Sequence, residues 1–573
     1  MTANRRDIFK IAAVGAAAAG AGALSGCARL ADVDKAITAK TLAEAEKLFQ
    51  LTYTDKERAQ ILEDFDSDLE WLTALRKAEL PNDLAPALVF DPRLPGKRIA
   101  PQKSEIALGG AYDAPLPADE VDIAFASVAQ QGRWLRAKAI TSARLTEIYL
   151  RRIEKHDPRL HAFITVTAER ALAEADAADK DFSEGQDKGP LHGIPYALKD
   201  LADTKGIKTT WGAEPFKDRV PETDADVVRR LQRAGAVLLG KSACGAIAYG
   251  DQWFGARTRN PWNPDEGSSG SSAGSASAVA AGLASFAIGT ETLGSIVSPS
   301  ERCGTTGLRP TFGRVSRDGF MALCWSLDKV GPICRSVEDT ALVLSEINGF
   351  DADDAGAGRV GFGYDGAAPI AGMTVGYVPE WFEKGDNVDR AALEALKSLG
   401  VTLSPFPWPK LDLTPLSKIV VVEAAAAFSD LTLSNRDDEL AWQDKNAWPN
   451  TWRAARFVSA VDYVQVDRLR RRLMQSLSEA WTGFDALIGP HFAGGALLAT
   501  NCSGHPQLAL RAGFAETKTR DLWGDASKSA AKTFRTPRGI SLWADIYEER
   551  KIIALGRALE AKLGVAGERP KGF

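Results

Sequence analysis

Between Gly267 and Ile296 the chain sets two serine-bearing glycine turns around one short apolar unit. The first turn is Gly267-Ser268-Ser269-Gly270-Ser271-Ser272-Ala273-Gly274-Ser275, and the second is Gly289-Thr290-Glu291-Thr292-Leu293-Gly294-Ser295-Ile296. A Gly/Ser tract that served as a flexible linker would continue into polar chain. Here Ala276-Ser277-Ala278-Val279-Ala280-Ala281 follows at once, so the turn enters a helix over 275–282, and a strand over 285–289 leads to the second turn. Turns of this kind present exposed backbone N–H groups beside hydroxyls. No Gly-Lys-Ser/Thr follows the first turn, which argues against a nucleotide-binding loop.

The same alternation extends on both sides. A helix is expected over 139–155, capped at Thr141-Ser142 and burying Leu145, Ile148, Tyr149 and Ile153. A strand over 162–166, a helix over 168–179, a helix over 224–234 and a strand over 236–239 follow. Helices and strands in turn imply an α/β fold, with a mixed or parallel sheet covered by helices on both faces. Residues 365–480 differ in texture and carry Trp381, Trp408, Trp442, Trp448 and Trp452; the last stretch returns to the earlier style and is expected to end in a helix from Leu542 onward. Ahead of this body, residues 33–80 read as a helical arm. Leu42, Ala45 and Phe49 carry one periodic face, and Ile61, Phe65, Leu69 and Leu72 another. Pro81 and the run Pro86 to Pro101 then break regular structure.

The first residues have a different character. Arg5-Arg6-Asp7-Ile8-Phe9-Lys10 precedes an Ala/Gly-rich apolar run from Ile11 to Leu24 and then Leu24-Ser25-Gly26-Cys27. A basic head, a short apolar middle and small residues form an export signal over 1–26. The paired arginines resemble a twin-arginine signal, and the last four residues resemble a lipobox that would leave Cys27 as a lipid anchor. The expected location is the bacterial envelope, periplasmic, with the membrane reached only through that anchor. The net charge of −5 over 573 residues, with no basic stripe, gives no sign of a nucleic-acid partner. Cys244, Cys303, Cys324, Cys334 and Cys502 show no CxxC spacing, so neither a zinc site nor another metal is expected. No cofactor is implied.

Upstream of the two turns lies Gly189-Pro190-Leu191-His192-Gly193-Ile194-Pro195-Tyr196-Ala197-Leu198-Lys199-Asp200. Lys199 ends an apolar, strand-like run. If buried there, its pKa falls and the neutral amine becomes available as a base. With these segments, with Gly307-Leu308-Arg309-Pro310-Thr311, Ser326-Leu327-Asp328-Lys329-Val330-Gly331-Pro332 and Asn501-Cys502-Ser503-Gly504-His505-Pro506, the chain resembles the amidase signature family from about residue 120 onward. The resemblance implies an α/β/α sandwich with a mixed, largely parallel twisted sheet. It also implies a domain over 120–573 with a variable substrate-pocket segment near 365–480, preceded by anchor, arm and Pro-rich linker over 27–119. It further implies Lys199 as base, Ser271 as a bridging serine on a cis peptide, and Ser295 as nucleophile. The family's spacing of 24 residues between the two serines singles out Ser271 among its neighbours.

Physical chemistry gives these residues connected work. Serine is a weak nucleophile without an adjacent base. Lys199 would take the proton of Ser271 while Ser271 takes that of Ser295, with Ser272 helping to orient the relay. The N–H groups of Thr292, Leu293, Gly294 and Ser295 would meet the oxyanion. Five histidines exist, at 156, 161, 192, 491 and 505, each with a plain turn or surface reading; counting alone leaves a Ser-His-Asp triad open. Against the family's common pattern, Leu293 stands where a glycine is frequent and would be strained at positive φ. Val297 stands in place of an arginine, and Ser269 and Ala273 replace glycines of the first turn. Trp325 is the residue expected to wall the substrate pocket. The expected partner is a small molecule bearing an amide. Two other readings stand beside hydrolysis: a binding or scaffold lipoprotein on an inactive fold, and the amidase subunit of a tRNA-dependent amidotransferase, against which the export signal argues.

Overall fold

The computed structural model describes residues 37–63, 65–78, 80–522, 525 and 532–573. The twin-arginine pattern, the apolar run and Cys27 lie outside the described residues. The chain divides into two compact units, at Glu79/Leu80. The first contains helices Ala39–Phe49, Asp55–Glu63 and Phe65–Lys77, so the arm is three short helices. Thr38 opens the first with a capping box closed by Thr41. The second unit begins forty residues earlier than the domain expected from about 120. The Pro-rich stretch is part of it because Asn82 binds both backbone groups of Ala322, at 2.8 Å each.

Eleven strands of this unit form one sheet. In chain order they are β1 (Phe163–Val166), β2 (Pro195–Lys199), β3 (Val237–Ser242), β4 (Phe286–Glu291), β5 (Thr306–Arg309), β6 (Lys329–Cys334), β7 (Thr374–Tyr377), β8 (Thr402–Pro405), β9 (Ala486–Gly489), β10 (Gln507–Lys518) and β11 (Thr533–Trp543). Their spatial order is β8-β7-β9-β11-β10-β5-β6-β4-β2-β3-β1. Every residue of β2, β3, β5 and β6 is buried, so both faces of the central sheet are covered.

The sheet is mixed, as expected, but the parallel pairing expected to dominate is confined to two groups. β4, β2 and β3 run parallel, as do β8, β7 and β9. The other six ladders are antiparallel. Leu542 is in β11, and the last helix is Glu549–Leu563. The cause is a long hairpin: β11 pairs with β10 from Lys518↔Thr533 to Gln507↔Trp543, and this pairing decides the state of a stretch whose local pattern is ambiguous.

Other elements fall close to their expected positions. Helix Ser142–Leu160 is capped by Thr141, whose hydroxyl accepts from Arg144 N at 3.1 Å. Helix Ala273–Ala280 and strand β4 separate the two serine turns. Parallel pairing sets Leu198 of β2 opposite Ile288 of β4, which brings the C-terminal ends of both strands, Lys199 and Thr290, side by side. No helix among the described residues is long and apolar enough to cross a membrane.

Candidate active site

Lys199 ends β2 and is fully buried. Its Nζ donates to Ser271 Oγ at 2.8 Å, Ser272 Oγ at 3.0 Å and Thr290 Oγ1 at 2.8 Å, with the Thr290 carbonyl at 3.4 Å. These partners are neutral oxygens. Burial therefore outweighs the weaker pull of Cys244, Asp328 and Glu291, and the amine is brought down to about 7. Buried lysines also occur at 241 and 329. Lys241 bonds to Ala202 O and Thr209 Oγ1, and Lys329 to Leu327 O, so neither meets a serine turn through these contacts.

The first turn delivers its serines through an unusual backbone. The Gly270–Ser271 peptide is cis, and Ser269, standing where glycine is common, has φ of 60°. Ser272 Oγ donates to Thr290 O at 3.1 Å and accepts from Thr290 N at 3.2 Å. Gly289 makes room for it: a Cβ there would lie 2.9 Å from Ser272 Oγ. Ser272 N donates to Ser295 O at 3.1 Å, which joins the two turns directly.

In the second turn the left-handed conformation falls on Gly294, at φ 93°, and Leu293 stays outside that region. The strain foreseen at Leu293 is thereby avoided. The N–H groups of Thr292, Leu293, Gly294 and Ser295 find no acceptor among the described residues. Those of Ile296 and Val297 both donate to Glu291 Oε2, at 2.9 and 3.0 Å. Glu291 Oε1 accepts from Arg309 at 2.8 Å and Asn501 at 2.9 Å. Burial would raise this carboxyl, but the Arg309 charge and these hydrogen bonds outweigh it and bring it to about 2. Glu291 thus clamps the turn from behind as a permanent anion. Sequence reasoning missed it, although a carboxylate closing a buried apolar strand is a visible signal. We expect Glu291→Ala to strand Arg309 without its counter-charge and cost about 3–5 kcal/mol in chemical denaturation. A loss no larger than that of a surface ion pair, about 1 kcal/mol or less, would contradict the clamp.

Thr292 to Ser295 form part of the wall of a cavity of 1410 Å³, to which Ser269 and Gly270 also contribute. Ser271, Ser272 and Lys199 are buried and do not line it. The segment 365–480 supplies much of the opposite wall, through Trp381, Phe406, Trp408, Val420 and Trp448. Trp381 and Trp408 meet edge to face at 5.0 Å. Trp442 and Trp452 do not line the cavity; Trp452 is buried and stacks on Trp448 at 5.7 Å. Leu497 reaches within 3.1 Å of where a Cβ on Gly294 would sit. With Leu293, it makes the wall beside Ser295 apolar. Trp325 is not on this cavity. It lines a second one of 400 Å³, because its indole N–H is turned to Asn82 O at 3.1 Å.

The histidines are more buried than the sequence suggested, since His156, His192, His491 and His505 are all in the interior. His161 does sit at a turn, as a left-handed helix cap. Among the described residues one Ser-His-Asp string occurs: Ser503 Oγ is 2.8 Å from His505 Nδ1, and His505 Nε2 is 3.5 Å from Asp545. Ser503 is fully buried, donates to Ala499 O at 2.8 Å and lines neither cavity, so it offers no accessible nucleophile. Among the described residues no group of three His, Cys, Asp or Glu is placed to hold a metal ion.

A mixed sheet with a buried lysine bonded to two serines beneath a Gly/Ser turn is the arrangement of an amide-hydrolysing enzyme. The family model described as Amidase matches residues 144–535, and the chain belongs to the amidase signature family. The A subunit of glutamyl-tRNA(Gln) amidotransferase from Halorhodospira halophila is 34% identical over 506 residues, covering 78% of this chain and 99% of that protein. Its namesake from Ralstonia nicotianae is 33% identical over 501 residues, covering 76% and 97%. Among solved structures, the peptide amidase of Stenotrophomonas maltophilia aligns with a TM-score of 0.67 at 29% identity, over 78% of this chain and 98% of that one.

Proposed function

We propose that this enzyme cleaves a carboxamide or related C–N acyl bond through an acyl-enzyme on Ser295. The observation that carries the reading is the fully buried Lys199, hydrogen-bonded to Ser271 and brought down to about 7. The neutral amine takes the Ser271 proton as Ser271 takes that of Ser295, and Ser295 Oγ adds to the amide carbon. The N–H groups of Thr292 to Ser295, unused by the protein, receive the oxyanion. Lys199 then returns the proton through Ser271 to the leaving nitrogen, and the C–N bond breaks. Water adds to the ester by the same route and releases the acid. Ser272 holds Lys199 toward Ser271 from the side. The test is to treat the protein with a fluorophosphonate and map the adduct by peptide mass spectrometry. An adduct on Ser295 supports the assignment; an adduct on another serine, or none, sinks it.

The similarity to two amidotransferase A subunits favours a second reading, in which the chain acts with partner subunits on charged tRNA. Against it stands Arg5-Arg6 followed by an apolar run and Leu24-Ser25-Gly26-Cys27, which we read as an export signal ending in a lipid-anchored Cys27. That reading places the mature enzyme in the bacterial envelope. Intact-mass analysis of protein purified from membranes should show loss of residues 1–26 and a diacylglyceryl mass on Cys27. A retained leader would favour the tRNA-linked reading.

A further inference from the structure

The second cavity lies behind the nucleophile turn and is distinct from the large one, yet the two share a wall. Ala248, Thr292 and Leu323 line both. Two of these three are fixed by a single carboxylate: Asp328 accepts from Thr292 Oγ1 at 2.5 Å and from Leu323 N at 2.8 Å. The third follows Ile247, whose N–H donates to Trp211 O at 2.9 Å and whose carbonyl accepts from Trp448 Nε1 at 2.8 Å. The partition between the two cavities is therefore thin and held in place. On its far side the small cavity reaches Thr290, whose hydroxyl is bonded to Lys199. Ser295 and its free N–H groups thus face one cavity, and the side-chain partner of the base faces the other.

The small cavity also has its own roof and its own charge. Asn82 clasps Ala322 and so draws residues 83–85 over the opening. Arg317 in the lining is spent on Asp354, at 2.7 Å. Asp83 and Asp353 stand exposed at the mouth. Ammonia, about the size of a water and so needing about 30 Å³, would leave most of 400 Å³ unused.

We propose that this small cavity receives the nitrogen half of the substrate. The preferred substrates are then secondary amides whose leaving amine carries a further positive charge, while the acyl half lies against the aromatic wall of the large cavity. The inference rests on the reading of Ser295 as nucleophile. In the step concerned, the Ser295 Oγ–carbon bond forms, the carbon–nitrogen bond breaks, and the nitrogen takes the proton returned by Lys199 through Ser271. The departing diamine leaves with its second ammonium facing the Asp83 and Asp353 carboxylates.

Three phenylacetyl amides, assayed with the purified full chain, test this; their leaving groups are ammonia, propylamine and 1,3-diaminopropane. The aminopropyl amide should exceed the propyl amide by about tenfold in kcat/KM at low salt, the scale of electrostatic steering into a charged cleft. The propyl amide should in turn exceed the primary amide. In the double variant Asp83→Lys, Asp353→Lys, the ratio of aminopropyl to propyl rates should fall to unity or below. Both positions are exposed, so the fold should tolerate the changes. Protein that takes the fluorophosphonate on Ser295 but prefers the primary amide, or keeps its aminopropyl preference after charge reversal, overturns the assignment of the small cavity alone. No adduct and no turnover of any of the three overturns the nucleophile as well.

Discussion

Ser295→Ala should remove turnover by about 10⁴-fold or more, the scale on which a nucleophilic serine is lost, while the unfolding midpoint stays where it was. The second half of that expectation follows from geometry. Ser295 contributes its backbone carbonyl to Ser272 N at 3.1 Å, and alanine keeps that carbonyl. The cavity wall keeps its shape, and the N–H groups of Thr292 to Ser295 remain open to a carbonyl oxygen. The variant should therefore still bind substrate, with kcat lost and substrate affinity retained by equilibrium binding. Residual turnover near the wild-type rate would move the nucleophile elsewhere. Ser269 and Ser298 would be the candidates, since both line the same cavity.

Lys199→Ala should lower acylation by about 10²–10⁴-fold, the usual worth of a positioned base. Its signature is in the pH profile. The base must be neutral to act, and burial brings Lys199 down to about 7, so the neutral form predominates above that pH and disappears below it. For the wild type, kcat/KM should fall about tenfold per pH unit on the acid side of 7 and level off above it. The alanine variant should lose this limb, because its residual rate no longer depends on that proton. Lys199→Arg should be no better than alanine, since guanidinium stays charged at any working pH. An unchanged acid limb in Lys199→Ala would assign the titration to another group.

Of the three central positions, the sequence marks Lys199 by its apolar run and the family resemblance marks Ser271 and Ser295, and the structure brings Lys199 to Ser271 at 2.8 Å. Lys199 is preceded by Pro195-Tyr196-Ala197-Leu198, all buried, and a lysine that ends such a run has nowhere to place its amine except among the neighbouring strands. The glycine-rich turns bounded by apolar chain were visible in the sequence, and the family's spacing of 24 residues picked Ser271 and Ser295 within them. Thr290 and Glu291 were not foreseen as partners. Thr290 lies inside a strand, where a hydroxyl carries no periodic signal, Glu291 closes that strand as a visible carboxylate, and the roles of both depend on which strands become neighbours. The pairing of β4 with β2 brings Thr290 to Lys199, and the turn after β4 folds back on Glu291. Trp325 walls the smaller cavity and not the larger one for the converse reason. It is close in sequence to Asp328, which bonds to Thr292 of the nucleophile turn, yet its indole N–H donates to Asn82 O at 3.1 Å. The long β10–β11 hairpin escaped because its pairing is decided at a distance and not by local pattern.

Cys244, Cys303, Cys324, Cys334 and Cys502 are all buried and none is bridged to another. Burial pushes each of these thiols up, Cys502 to about 11, and the thiolate is the form that reacts. The native protein therefore carries a set of silent labels, among them Cys303 at the end of the helix that follows Ser295, Cys334 at the end of β6 and Cys502 in a later helix. Under a mild alkylating reagent, a molecule that opens as a whole would gain all five adducts together. One that opens region by region would gain them in sequence, Cys303 reporting the nucleophile helix and Cys502 the helix that carries Asn501. The order in which the masses appear would give the order in which the catalytic scaffold comes apart.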